Sequence, residues 1–320
     1  MEPFPVETTL AVDPILYKRD EQFLSQFKPR IYKDPKTCDD ACIQAQLDLL
    51  GAEHQGEVIK SLHLTVGCLP ALAFSFCKPD RMPLLSYLVE VSLLQDDLGN
   101  LDPTENWKVA DARIQTRHNT QYETISEYMR DRSEDFGWKF VTALVQFATQ
   151  IELTSEEDAT LAPIHSTLCA ALSLYNDYYS WEKEYEAFTR SNGQVACLNG
   201  VYVYMNSEAI SAKAALQATA KKAIELENEY RGLRDTLGSC SPSVVCWLDA
   251  LEALTAGTML WSISCPRYLG FDGEGNLYRS YYKDRLEAGV RFSDDDAGSA
   301  SAVSTDHLGD SLGGFGDSSS

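Results

Sequence analysis

The sequence predicts an all-α, single-domain protein. Three observations carry that reading. From about residue 42 onward, apolar residues recur at helical spacing, and each run ends at a Pro, Gly or Ser/Asp cap signal. Runs with strand-like alternation are almost absent. Two segments, around Leu84–Leu94 and Val244–Ile263, are apolar on most faces and belong in the centre of a helical assembly.

Taken in order, roughly the first forty residues are rich in Pro and charge and are expected to wrap the outside. Helices are then predicted over Ala41–Leu50, Met82–Leu98, Asn119–Arg130 and Gly137–Gln150. Further helices are expected over Pro163–Glu184, Ser207–Leu237 and Ser243–Ile263. Gly200–Met205 is the one short strand candidate. After about Ala288 the composition becomes Asp-, Ser- and Gly-rich and cannot bury enough apolar surface to offset the entropy of ordering. Residues 1–288 are therefore read as the folded domain, and 289–320 as a disordered linker.

The 320 residues suffice for a large core, and 44% hydrophobic with 23% charged residues fits an ordinary globular chain. A net charge of −21 argues against nucleic acid and anionic membrane surfaces as partners. No run has the roughly twenty consecutive apolar residues of a membrane span, and the N-terminus lacks the basic and apolar regions of a signal peptide. Nine scattered cysteines suit a reducing, cytoplasmic setting better than a disulfide framework. Cys38 and Cys42 are spaced like half a metal site, but no His/Cys pair at zinc spacing completes it.

The chemistry concentrates in Asn176-Asp177-Tyr178-Tyr179-Ser180-Trp181-Glu182-Lys183-Glu184. On a helix, Asn176, Ser180 and Glu184 fall within an arc of roughly 80°. An amide, a hydroxyl and a carboxylate are hard oxygen ligands, suited to Mg²⁺. Lys183 falls on nearly the same face and can meet an anion held by that metal. A second acidic group, Asp96-Asp97-Leu98-Gly99-Asn100, ends an apolar helix, where the electronegative C-terminus adds to the attraction for a cation. Alone, such a pair also reads as a solvated helix end. Asp39-Asp40, Glu156-Glu157-Asp158 and Asp294-Asp295-Asp296 are acidic clusters in polar surroundings, and burial of the preceding helix sets Asp96 and Asp97 apart. Arg132 and the pair Arg267-Tyr268 are cationic candidates for a diphosphate, which guanidinium forks bind in bidentate fashion. Each arginine taken singly also reads as a surface or structural residue.

In combination these motifs resemble class I terpene cyclases. Asn176, Ser180 and Glu184 resemble their Asn/Ser/Glu triad, Asp96-Asp97 their aspartate-rich motif, Arg132 their diphosphate-sensor arginine, and Arg267-Tyr268 their C-terminal Arg-Tyr pair. Asp135 matches the aspartate that follows the sensor, while Phe136 and Gly137 leave the next position unassigned. Trp261-Ser262 followed by Cys265-Pro266-Arg267-Tyr268 is similar to the cyclase domains of fungal chimeric terpene synthases of the fusicoccadiene and ophiobolin type. The likeness covers roughly residues 50–270. Asn100 departs from it, standing where many members carry Asp or Glu.

The resemblance implies a class I terpenoid synthase helical bundle around a central apolar cavity. It implies three Mg²⁺ ions held by Asp96, Asp97, Asn100, Asn176, Ser180 and Glu184, with Asp96 ranked first in its motif. Arg132, Lys183, Arg267 and Tyr268 would meet the diphosphate. Asp96, Arg132, Asn176, Ser180 and Glu184 would be the catalytic set. Phe74, Phe76, Tyr87, Trp138, Tyr175 and Trp261 are candidate cavity aromatics, with Phe74, Phe76 and Trp261 carried as substrate-binding; plain core packing is the other reading of each. The implied reaction is ionisation and cyclisation of a linear polyprenyl diphosphate, C20 or C25 favoured. Its partners would be that substrate and a prenyltransferase domain of the same full-length polypeptide, with homo-oligomers an open alternative. Two further readings remain at this point: a chain-elongating prenyltransferase of the same fold, and a catalytically silent helical assembly or binding module.

Overall fold

The sequence Thr154-Ser155-Glu156-Glu157 begins the longest element. The Thr154 hydroxyl accepts from the Glu157 N–H while the Glu157 carboxylate accepts from the Thr154 N–H, a reciprocal capping box. Glu156, Glu157 and Asp158 lie in the first turn, where carboxylates offset the helix dipole. The acidic cluster in polar surroundings is thus a helix start, and the helix begins before Pro163 rather than at it.

The computed structural model describes residues 8–14, 17, 23–51, 67–99, 122–193, 197–263, 265–269 and 292–293, with Gln95–Gly99, Glu134 and Asp135 among those described by backbone alone. In chain order, β1 (Thr9–Val12) and β2 (Arg30–Tyr32) precede α1 (Pro35–Leu50), α2 (Leu69–Ala73) and α3 (Met82–Gly99). The helices α4 (Ile125–Asp135), α5 (Trp138–Thr149) and the long α6 (Ser155–Arg190) follow. Then come α7 (Gly200–Ser207), α8 (Ala212–Asp235), α9 (Pro242–Ser262), α10 (Pro266–Leu269) and β3 (Phe292–Ser293).

Helix α6 is the hub. It packs most extensively on α8 and also meets α4, α7, α9 and α10, while α1 pairs with α3 and α2 lies on α9. Helix α9 is buried along most of its length, from Val244 to Ser262, as its apolar faces require. By length and composition it could cross a membrane, yet 67% of its apolar window is buried inside the fold, as expected of a core helix. Gly257 is what lets α2 approach α9 so closely. A Cβ there would stand 2.1 Å from the Leu72 carbonyl oxygen, well inside contact distance.

Several expectations need correction. Gly200–Met205 is helical, forming most of α7, because the Asn199 side chain caps it. The helix expected over 119–130 is displaced to Ile125–Asp135, which puts Arg132 inside it. The run 207–237 divides at Ser211, whose hydroxyl accepts from the Ala214 N–H and starts α8. Helix α3 is not buried all round, since Leu84 and Leu88 are 53% and 39% exposed. A small antiparallel sheet of order β2-β1-β3 was not anticipated; strands this short offer too few alternations to register. It pairs Ala11 with Ser293 and Val12 with Phe292, so two residues of the stretch read as linker lie beside β1.

Replacing Gly257 by Ala forces backbone apart rather than a pliable side chain. We expect Gly257→Ala to destabilise the fold by the upper end of ~1–3 kcal/mol for overpacking, measured by urea unfolding. A change within a few tenths of a kcal/mol would contradict the close approach.

Candidate active site

Helical periodicity puts Asn176, Ser180 and Glu184 on successive turns of α6, on one face. Between them in sequence, Asp177 points into the protein and is fully buried. A carboxylate removed from water needs compensation, and two elements supply it. From α4, Arg132 donates through Nε at 3.1 Å and Nη2 at 2.9 Å to Asp177 Oδ1. Also from α4, the Tyr128 hydroxyl donates to Oδ2 at 2.6 Å. From the start of α7, the Gly200 N–H donates to Oδ2 at 3.0 Å. Burial pushes the Asp177 carboxyl upward, and Arg132, Tyr128 and Gly200 pull it back toward the ionised form.

Arg132 reaches the donor face directly as well. Its Nη2 donates to Asn176 Oδ1 at 3.0 Å, and the Asn176 amide in turn donates to the Tyr268 hydroxyl at 2.9 Å. Tyr268 is buried on α10, its ring edge-on to Trp261 at 5.5 Å. The predicted Arg132, Asn176, Tyr268 and Trp261 therefore form one connected group. The Arg267 guanidinium lies 5.8 Å from the Tyr268 ring centre, beside the same group.

Ser180 is buried and Glu184 half-buried at the open end of this face. The Asn199 amide donates to the Asp177 carbonyl at 2.8 Å, to Glu184 Oε2 at 3.1 Å and more weakly to Ser180 Oγ at 3.4 Å. Burial, then the charge of Asp177, pushes the Glu184 carboxyl up to about 7, against the pull of Arg132, Ser180 and Asn199. A bound cation reverses such a shift, because its charge favours the ionised form. An amide oxygen, a hydroxyl and a carboxylate on one helix face are a donor set that fits Mg²⁺, with Lys183 adjoining.

The other half of the predicted clamp is only partly visible. Asp96 and Asp97 lie in the last turn of α3, with side chains outside the described residues, and Asn100 lies outside them altogether. Asp135 closes α4, its side chain likewise outside. Phe136 takes the Arg132 carbonyl with its N–H at 2.7 Å, and Gly137, at φ 73°, turns the chain into α5.

The aromatic candidates scatter. Phe74 and Phe76 line a small crevice with Val145, Ala148 and Ala250, between α2, α5 and α9. Tyr87 instead bonds Asp48 at the surface, and Trp138 lies against His165. The Tyr175 hydroxyl is committed to Glu227, 2.8 Å away on α8. Of the six, Trp261 is the one joined to the group around Asn176.

The chain is similar to several known proteins. Residues 109–229, which include Arg132 and the whole triad, match the family described as terpene synthase family 2, C-terminal metal binding. Conidiogenone synthase from Penicillium rubens is 26% identical over 88% of this chain and 43% of its own length. A cyclopiane-type diterpene synthase from Penicillium chrysogenum is 25% identical over 88% of this chain and 44% of its own length. The chain is thus similar to fungal terpene synthases over most of its length. It spans less than half the length of these curated relatives. The crystal structure of aristolochene synthase from Penicillium roqueforti superposes with a TM-score of 0.58, covering 75% of this chain and 98% of that one at 16% identity. The all-α class I terpene synthase fold is thereby shown.

Three residues of the site escaped the reading of motifs. Asp177 stood inside the quoted motif without a role. Tyr128 precedes Arg132 by one helical turn, a spacing that places both on one face of α4 and was a usable signal. Asn199 had no signal beyond its place before a misjudged strand.

We expect Asp177→Asn, which keeps the shape but strands the Arg132 charge, to lose about 3–5 kcal/mol of stability. Chemical denaturation followed by circular dichroism reads this directly. A loss below about 1 kcal/mol would mean that the buried pair does not organise the site.

Proposed function

We propose that this domain is a Mg²⁺-dependent cyclase that ionises a linear polyprenyl diphosphate and closes the resulting carbocation into a terpene. The observation that carries the reading is the row of Asn176, Ser180 and Glu184 beside a buried arginine and Tyr268. Asn176, Ser180 and Glu184, together with Asp96 and Asp97 in the last turn of α3 and Asn100 next after the helix in sequence, would hold about three Mg²⁺ ions. Bound there, Mg²⁺ supplies a Lewis acid that neutralises charge developing on the diphosphate.

The chain's own groups supply orientation. Arg132 and Tyr268 flank Asn176 and would donate to diphosphate oxygens, with Lys183 and Arg267 adding positive charge on an otherwise strongly acidic protein. Donors fixed before the ligand arrives need no reorganisation as the leaving group departs. No protein nucleophile is required. Trp261, packed on Tyr268, offers an aromatic face near the site where cationic charge would develop.

A C20 substrate is favoured, supported by the relative named as a diterpene synthase, which aligns over most of this chain. The chimeric resemblance extends the proposal to a polypeptide whose prenyltransferase domain makes that allylic diphosphate.

Incubation with C15, C20, C25 and C30 diphosphates plus Mg²⁺, with hydrocarbon analysis by mass spectrometry, tests the assignment. Cyclic product from the C20 substrate is expected, with none when Mg²⁺ is chelated. Longer linear chains on adding isopentenyl diphosphate would indicate an elongating prenyltransferase instead. No turnover and no Mg²⁺-dependent diphosphate binding would indicate a silent module. Glu184→Gln should lower diphosphate release by at least about 100-fold, the order lost with a single key electrostatic group, while far-ultraviolet circular dichroism stays unchanged. Full activity in that variant would contradict the assignment.

A further inference from the structure

Asn199 is completely buried at the junction of α7 and α6, and its side chain works in two directions. Its carbonyl oxygen accepts from the Val201 N–H at 2.9 Å, which caps α7. Its amide nitrogen faces the other way, onto α6. One hydrogen is met by the Asp177 carbonyl at 2.8 Å; the other is shared between Glu184 Oε2 at 3.1 Å and Ser180 Oγ at 3.4 Å.

A helix cap needs only the oxygen. Ser, Thr or Asp would cap α7 about as well, but Ser and Thr lack an amide to reach α6 and Asp would set a carboxylate against Glu184. The part of Asn199 that capping leaves unexplained is spent on two of the three oxygen donors of the proposed metal face. Nor can the residue swing away. The adjacent Gly200 is pressed onto α6 through its N–H bond to Asp177, and a Cβ there would lie 3.0 Å from Leu174 Cδ2 and 3.1 Å from Asp177 Oδ2.

We propose that Asn199 is a positioning residue for the metal face, its amide holding Glu184 and Ser180 in the orientation that receives a divalent cation with diphosphate. A neutral donor suits this task. It occupies one lone-pair direction of the carboxylate and leaves the others for the cation, without adding charge. The inference rests on the metal-dependent reading above and deepens it. Groups that orient ligands from behind typically account for about 10–100-fold in metal affinity.

The test is calorimetric titration of Mg²⁺ into the full chain with inorganic diphosphate, comparing the parent with Asn199→Ser and Asn199→Thr. Both variants keep a capping hydroxyl, so thermal unfolding should move little. Mg²⁺ binding in the presence of diphosphate should weaken about 10–100-fold. Unchanged affinity in a folded variant, beside tight binding by the parent, would overturn the positioning role alone. Absence of Mg²⁺-dependent diphosphate binding in the parent would overturn both this role and the functional reading. Failure of both variants to fold would also overturn it, assigning Asn199 to architecture only.

Discussion

Everything at the candidate site hangs on the buried carboxylate of Asp177. Taking a carboxylate out of water is tolerable only when donors replace the lost hydration. Here the donors come from α4 and from the first residue of α7, so satisfying one charge joins α4, α6 and α7. Because Asp177 lies next to Asn176, this junction also sets the rotation of α6. Once Asp177 faces inward, helical geometry places Asn176, Ser180 and Glu184 along the neighbouring face.

The same pair shapes the electrostatics. Arg132 is matched against Asp177, so its positive charge is already largely offset where it meets Asn176. In a chain of net charge −21, the proposed reading relies on Lys183, Arg267 and cations gathered by the oxygen donors to add attraction for an anionic ligand. In the proposed reading, anion binding is conditional on metal. The raised Glu184 carboxyl has its origin in the same junction, since burial and the neighbouring Asp177 both disfavour its charge.

Much of this was legible from residue types. The triad, the arginine and the Arg-Tyr pair were named from hard-ligand and anion chemistry, and α3, α5 and α9 fell close to their expected limits because apolar period and caps agreed. What sequence could not convey was which side of α6 faces inward. Asp177 looked like one more acid, and only the approach of Tyr128, Arg132 and Gly200 reveals why it is buried. Asn199 was lost through a wrong period: Val201, Val203 and Met205 alternate as in a strand, while the capping bond that selects helix acts through a single side chain. The sheet was lost for lack of length. The cavity aromatics were the least readable, because a Tyr or Phe at helical spacing packs a core and lines a pocket with the same pattern, as Tyr175 on Glu227 and Tyr87 on Asp48 illustrate.

The central claim is that inward anchoring of Asp177 presents the triad oxygens as a metal face. A crystal grown with Mn²⁺ and an inert bisphosphonate tests it most directly, because anomalous scattering locates the metal independently of any activity. The account predicts a peak ligated by Asn176 Oδ1, Ser180 Oγ and the Glu184 carboxylate, with Arg132 still bonded to Asp177. Metal bound away from these three oxygens, or Asp177 turned out to ligate it, would contradict the account.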